Sequence, residues 1–263
     1  MIRLDKLVIE QTGFSREYAA EVIKGGYVSS GEKILAKPGM KVPHTLEIIV
    51  SAKPMRYVSR GGYKLEQALA EFGVVVEGKT CVDIGASVGG FTDCLLQNGA
   101  LLVAAIDCGT AQLANKLRND ARVTVFENTN IREINAEEFL RKTNLNHGFD
   151  VAVIDVSFIS LSLVLPAAAS LLRQSGTLIC LVKPQFEAGK AALNKRGVVK
   201  SERLRLNALD AIKQAATLNK FHSITHAQSP ITGRDGNIEY LMAAKKGYSH
   251  LPLYNNNSSS SNE

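Results

Sequence analysis

Between residues 79 and 183 the apolar positions fall in short uninterrupted runs: KTCVDI (79–84), LLVAAI (101–106), RVTVF (122–126), DVAVID (150–155) and TLICLVK (177–183). Runs without polar alternation predict strands buried on both faces of a parallel sheet. The stretches between them, near 90–98, 110–118, 136–143 and 160–173, carry helical spacing. Strands that alternate with helices in this way predict right-handed βαβ crossovers and a doubly wound α/β sheet. A long helix at 201–219 follows, then two strands at 221–228 and 238–244 separated by the turn TGRDGN (232–237). That turn predicts a closing antiparallel hairpin.

The first fifty residues have a different rhythm. Two short amphipathic helical patterns, 3–11 and 15–24, stop at Gly25-Gly26; a Ser30-Gly31 turn lies between short strands, and TLEIIV (45–50) adds another. The pattern predicts a compact α+β unit over residues 1–52. The basic segment SAKPMRYVSRGG (51–62), with Pro54 and two closing glycines, reads as a junction. The linker is expected at 53–61, the α/β unit at 62–247, and a polar, low-complexity tail at 248–263 that is expected to be disordered.

Composition places the chain among globular proteins, with 45% hydrophobic and 21% charged residues in 263. Of the net charge of +6, most sits in residues 1–60, which hold ten Lys/Arg against six Asp/Glu. A basic N-terminal unit suits an acidic partner such as nucleic acid. Cys81, Cys94, Cys108 and Cys180 lack C-x-x-C spacing, so they read as reduced thiols and no metal site is expected. The longest apolar stretch, LSLVLPAAASLL (161–172), falls short of the roughly 18 residues that span a bilayer and contains Pro166. The N-terminus lacks the apolar core of a signal peptide. A cytoplasmic protein with no membrane partner is expected.

The candidate chemistry begins after the first sheet strand, in DIGASVGGFTD (83–93). The spacing Gly85-x-x-x-Gly89-Gly90 is neither the dinucleotide fingerprint G-x-G-x-x-G nor a P-loop. It fits the D-x-G-x-x-x-G-G form of S-adenosylmethionine sites, which argues against nicotinamide. The candidate cofactor contacts are Asp83, Gly85, Ala86, Ser87, Gly89, Gly90 and Phe91, with Asp107 at the end of the next strand to accept ribose hydroxyls.

The acceptor can be sorted by what is missing. The fourth strand ends VIDVSFISL, without the Asn/Asp-Pro-Pro-aromatic segment of amino-group methylation, and Cys180 sits inside a strand where it cannot serve base-carbon methylation. Strand ends offer Lys183, Asp155 and Glu239, and the helix before the first sheet strand offers Lys64. A hydroxyl acceptor needs a base, and a buried lysine beside another cation is displaced toward the free amine. Lys183 is the candidate base, Lys64 the group that holds the oxyanion, and Asp155 and Glu239 orient both.

The segments RLDKLVIEQTGFSREYAAEVIKGGYVSSGEKILAKPG, YVSRGGYKLEQAL, DIGASVGGFTDCLLQNGA, VIDVSFISL, LVKPQFEAGK, RGVVK and GNIEYL together resemble the TlyA-type proteins, also called hemolysin A. The resemblance covers nearly the whole chain except the tail. It implies a Rossmann-like class I methyltransferase of the FtsJ-like kind, a mostly parallel seven-stranded sheet with a C-terminal antiparallel hairpin strand, preceded by a small α+β S4 domain. It also implies S-adenosylmethionine as cofactor, no metal, a Lys64-Asp155-Lys183-Glu239 tetrad, and 2'-O-methylation of a cytidine in ribosomal RNA, 16S or 23S. The S4 likeness gives Arg3, Lys6, Arg16, Lys24 and Lys37 phosphates to contact; Arg60 in the junction and Lys190, Lys195 and Arg196 in the loop 185–200 join them. A non-catalytic ribosome-assembly factor and a membrane-lytic protein are the competing readings. The intact tetrad speaks against the first and the lack of a spanning segment against the second.

Overall fold

The computed structural model describes residues 1–51, 56–233 and 236–247. Linker residues 53–55, turn residues 234–235 and the tail 248–263 lie outside the described residues.

The N-terminal unit contains β1 (Ile2–Arg3), α1 (Leu4–Thr12), α2 (Arg16–Lys24), β2 (Val28–Ser30), β3 (Lys33–Ile34), β4 (Lys41–Val42) and β5 (Ile49–Val50). Ser15 caps α2 by accepting from the Tyr18 N–H, and Gly13 ends α1 in the left-handed region. Leu4, Leu7 and Val8 from α1 meet Ala19, Val22 and Ile23 from α2 over Val28, Leu35 and Val42, a core separate from that of the large sheet. The strand expected over 45–50 is reduced to β5, because a turn closed by Leu46 N–H donating to Pro43 O occupies its first half.

The remaining elements are α3 (Gly61–Glu71), β6 (Thr80–Ile84), α4 (Gly90–Gln97), β7 (Leu102–Ile106), α5 (Asn115–Arg118), β8 (Val123–Phe126), α6 (Ala136–Lys142), β9 (Phe149–Ile154), α7 (Leu165–Leu171), β10 (Leu172–Val182), α8 (Pro184–Glu187), α9 (Glu202–Leu218), β11 (Phe221–Gln228) and β12 (Tyr240–Lys246). Seven strands form one sheet in the order β11-β12-β10-β9-β6-β7-β8. Strands β10, β9, β6, β7 and β8 pair in parallel, while β12 runs antiparallel to both β10 and β11. The expected α/β fold, including its antiparallel hairpin, is the one observed.

The period-2 geometry of strands explains the unbroken apolar runs. Val82, Ile84, Ala104, Ala152, Ile154 and Leu178 face Phe139 of α6, Leu165 of α7 and Leu209 of α9. Their neighbours Cys81, Val103, Val151, Val153 and Ile179 face Leu65 of α3, Leu95 of α4 and Leu117 of α5. Both faces are covered, so apolar residues fill both sets of positions, with Asp83 on β6 a buried exception.

Three element boundaries differ from expectation for local reasons. The helix expected over 110–118 survives only as α5, because the Glu127 carboxylate captures the N–H groups of Ala111, Gln112 and Leu113. The helix expected over 160–173 divides into a 3-10 turn, Leu161–Leu163, and α7, with Pro166 in the first turn of α7. Strand β10 then begins at Leu172 rather than near 177, with a register shift between Leu172 and Thr177. Gly148 permits this close turn, since a Cβ there would stand 2.7 Å from Arg173 N.

Among the described residues no helix is long and apolar enough to cross a membrane, and no group of His, Cys, Asp and Glu is placed to hold a metal ion. Cys81, Cys94 and Cys180 are buried, Cys108 is exposed, and all are free thiols.

Candidate active site

Sheet register brings the four strand-end candidates together. Val182 pairs with Tyr240, so Lys183 leaving β10 lies beside Glu239 entering β12. Asp155 follows β9, the parallel neighbour of β10, and its N–H donates to Ile84 O at the end of β6. Lys64 arrives from the buried face of α3.

The side chains form two ion pairs. Lys64 Nζ donates to Glu239 Oε2 at 2.6 Å. Lys183 Nζ lies 2.6 Å from Asp155 Oδ1, a charge contact without hydrogen-bond alignment, and donates to Ser157 Oγ at 2.9 Å. Lys64 and Lys183 are each only 9% exposed and Glu239 3%, so the charges are largely withdrawn from water and held by one another. A buried pair of this kind is weak evidence for stability, because desolvation offsets the attraction. It marks a place where charge has another use.

Pro184 stops β10 and starts α8, which turns Gln185 back so that its Nε2 donates to Glu239 Oε1 at 3.1 Å. Phe186, next in sequence, has its ring 6.0 Å from Lys183 Nζ and 5.1 Å from the ring of Phe158. Phe158 is 83% exposed and holds a φ of 64°, a conformation strained for a bulky residue. Ser157, Phe158, Gln185 and Phe186 were not singled out from sequence. Their signal was adjacency to Asp155 and Lys183 at strand ends.

The glycine loop sits beside this cluster. Asp83 is fully buried; its Oδ2 accepts from Thr92 Oγ1 at 2.6 Å and its Oδ1 has no hydrogen-bond partner. Burial, partly opposed by the Thr92 hydrogen bond and reinforced by the charges of Asp155 and Asp107, pushes the Asp83 carboxyl up to about 7. Gly85, at φ 87°, lets the loop pass the end of β9, where a Cβ would stand 2.7 Å from Asp155 O. Ser87 also holds a positive φ, and its N–H donates to Asp107 Oδ2 at 2.7 Å; Gly109 N–H donates to Asp107 Oδ1 at 2.7 Å. Gly90, at the start of α4, meets the start of α3: a Cβ on it would stand 2.1 Å from Ser59 Oγ. Ala86 and Phe91 are buried around the loop.

The segment 109–113 lies across the same edge. Burial works against ionisation of Glu127, but three backbone N–H groups and the Arg118 guanidinium outweigh it and hold the carboxyl near 2. Ser87 Oγ donates to Gln112 Oε1, which ties this segment to the glycine loop.

The basic candidates are dispersed. Arg3 forms a two-point ion pair with Asp5, and Arg60 stands 3.5 Å from Glu21. Lys6, Arg16, Lys24 and Lys37 are exposed on the N-terminal unit. Lys190, Lys195 and Arg196 are exposed on the segment 185–200, which was expected as a loop. It is instead built from α8, a 3-10 turn at Lys190–Ala192 and a Leu193–Val199 bridge. Asn237 pins it, accepting from Val199 N–H and donating to Gly197 O.

Comparison with known proteins gives a consistent result. The sequence profile described as FtsJ-like methyltransferase matches residues 57–246. The chain is 41% identical over 229 residues to the 16S/23S rRNA (cytidine-2'-O)-methyltransferase TlyA of Mycobacterium tuberculosis, covering 87% of this chain and 83% of that protein. It is 41% identical over 244 residues to Hemolysin A of Brachyspira hyodysenteriae, covering 91% and 98%. A solved structure from Streptococcus thermophilus, provisionally called a hemolysin, superposes with a TM-score of 0.75 at 40% identity, covering 96% of this chain and 92% of that one.

Proposed function

The chain belongs to the FtsJ-like methyltransferase family, and on that premise we propose that it transfers a methyl group from S-adenosylmethionine to the 2'-hydroxyl of a cytidine in ribosomal RNA. The observation that carries the reading is the two ion pairs, Lys183 with the half-buried Asp155 and Lys64 with the buried Glu239, at the carboxyl edge of the sheet. The names of the Mycobacterium relative and of the Campylobacter jejuni 23S rRNA (cytidine-2'-O)-methyltransferase TlyA, 38% identical over 212 residues, support the substrate class.

The residues fit the cofactor. The orphaned, buried Oδ1 of Asp83 is an acceptor suited to an ammonium group, and Asp107 is suited to ribose hydroxyls. When bound, S-adenosylmethionine supplies an electrophilic methyl on a sulfonium. Lys183 Nζ would take the proton of the 2'-hydroxyl as the oxygen accepts the methyl group and the methyl–sulfur bond breaks, and Asp155 and Ser157 would hold the ammonium that results. Lys64, its charge balanced by Glu239, donates to the reacting oxygen as negative charge develops on it. The Phe158–Phe186 pair offers an apolar face on which a nucleobase can stack.

The N-terminal unit acts in this reading as an S4-like RNA-binding domain. Its exposed lysines and arginines contact phosphates, and Lys190, Lys195 and Arg196 extend that contact toward the site.

The test is methyl transfer from labelled cofactor to ribosomal subunits that lack the modification, with the product nucleotide mapped. Lys183→Ala is expected to abolish transfer and leave cofactor binding, read by calorimetry, within about threefold, since the lysine contacts no cofactor-loop residue. Undiminished transfer by that variant refutes the assignment of Lys183.

A further inference from the structure

Gln185 carries a feature that the transfer reaction does not use. Its side-chain amide orientation is determined chemically, because only an NH2 group can donate to the Glu239 carboxylate. The carbonyl oxygen Oε1 therefore points away from Glu239. It is buried and has no hydrogen-bond partner. A buried acceptor left without a donor loses its hydration without compensation, so such an atom at the edge of a site indicates a donor brought by a ligand.

The chain's own donors do not reach that oxygen. Lys64 donates to Glu239 and Lys183 to Ser157. The reacting hydroxyl is no better a donor, since its proton goes to Lys183. Of the donors that a cytidine brings, that leaves the exocyclic amine of the base, at the position where uracil carries a carbonyl. Gln185 shares Glu239 with Lys64, and Phe186 lies 6.0 Å from Lys183 Nζ and 5.1 Å from Phe158, so a nucleotide whose 2'-hydroxyl reaches the two lysines and whose base meets the aromatic pair enters an edge that the Gln185 amide borders.

We infer that Gln185 is a specificity-determining residue: its Oε1 accepts from the amino group of the target cytosine and rejects uracil, whose carbonyl would oppose it acceptor to acceptor. This rests on the 2'-O-methyltransferase reading. Glu239 then has two duties, balancing Lys64 through Oε2 and fixing the Gln185 amide through Oε1.

The experiment compares initial rates of methyl transfer to ribosomal subunits that carry cytidine or, by mutation of the rRNA gene, uridine at the mapped nucleotide. The wild-type protein is expected to favour cytidine by roughly 10- to 100-fold, the range for one good base contact. Gln185→Met, which keeps the length of the side chain and removes the acceptor, is expected to bring that ratio within about threefold of unity. A merely structural role for Gln185 would lower both rates and leave the ratio alone. Gln185→Asn withdraws the carbonyl by one methylene and is expected to narrow the ratio too, which covers the case where the methionine variant fails to fold. A wild-type ratio near unity, or a ratio unchanged in both variants, overturns the inference while the transfer reaction stands. Absence of transfer to any subunit overturns the function reading, and this inference with it.

Discussion

Asp83→Asn tests whether the glycine loop was built around a buried charge. Asp83 is fully buried on β6, with one oxygen held by Thr92 and the other without a partner. Burial raises its carboxyl from the ordinary 3.8 to about 7. Between those values the folded protein keeps a proton that the unfolded chain has released. Stability therefore falls as pH rises through the interval, by about 1.36 kcal/mol per pH unit. The whole interval corresponds to about 4 kcal/mol, of which about 2 kcal/mol falls between pH 5.5 and 7.

The variant has no titrating group at that position, so the difference between the two proteins isolates Asp83. Asp83→Asn is expected to gain about 2 kcal/mol on the wild type from pH 5.5 to pH 7 and nothing further above it. That gain corresponds to a relative rise in Tm of about 4–8 °C for a protein of this size. The new amide N–H2 has no acceptor where Oδ1 had no donor, a cost of about 1–3 kcal/mol that does not vary with pH. Urea unfolding followed by circular dichroism at pH 5.5, 7.0 and 8.5 reads the difference directly. A difference that stays flat or shrinks with rising pH refutes the argument, because it means that the folded protein holds Asp83 as a carboxylate throughout. The same variant is expected to lose cofactor affinity by calorimetry, since an amide attracts an ammonium group less than a carboxylate does.

Three further outcomes follow from the same edge of the sheet. Gly90→Ala puts a Cβ 2.1 Å from Ser59 Oγ and 3.0 Å from Gly62 N, and it is expected to destabilise by about 1–3 kcal/mol and weaken cofactor binding; an unchanged melting curve refutes the close approach of α3 and α4. Glu127→Gln replaces a carboxylate that collects three backbone N–H groups and Arg118, and calorimetry is expected to show weaker cofactor binding with an unaltered circular dichroism spectrum. Because the Glu127 carboxyl is lowered to about 2 from 4.5, its contribution is complete above about pH 4.5 and is lost as pH falls toward 2; acid titration that leaves the wild type as stable at pH 2.5 as at pH 5 would contradict it. Phe158→Ala touches a ring that is 83% exposed, so stability is expected to change by less than about 0.5 kcal/mol while kcat/KM falls by the equivalent of about 1–3 kcal/mol, the value of one stacked base.

The large sheet was legible because its strands are buried on both faces, so apolar residues run without polar alternation from 178 to 182, and in β6 only the buried Asp83 interrupts them between 81 and 84. Boundaries governed by side-chain capture of backbone groups were not. Nothing in the spacing of residues 110–118 announces that Glu127, at the end of another strand, takes the N–H groups a helix would need. The start of β10 was hidden in the same way, since it depends on Gly148 letting the chain pass closely in three dimensions.

The site shows the same division between what is local and what depends on topology. Each tetrad residue is recognisable as a charge at the edge of an apolar run, but the partnership of Lys64 with Glu239, 175 residues apart, exists only because β12 enters the sheet antiparallel between β10 and β11. Antiparallel pairing makes the end of β10 and the start of β12 one place, so Lys183, Gln185 and Glu239 converge there. A parallel last strand would bring the far end of β12, with Lys245 and Lys246, to that edge instead. Three of the buried side-chain atoms left without a hydrogen-bond partner among the described residues, on Asp83, Asp155 and Gln185, belong to this same edge. Interior polar groups are otherwise satisfied almost everywhere in folded proteins. Under the proposed function the Asp83 and Gln185 atoms are acceptors for the cofactor and the nucleotide, while the Asp155 atom faces Lys183, and the antiparallel strand completes that arrangement.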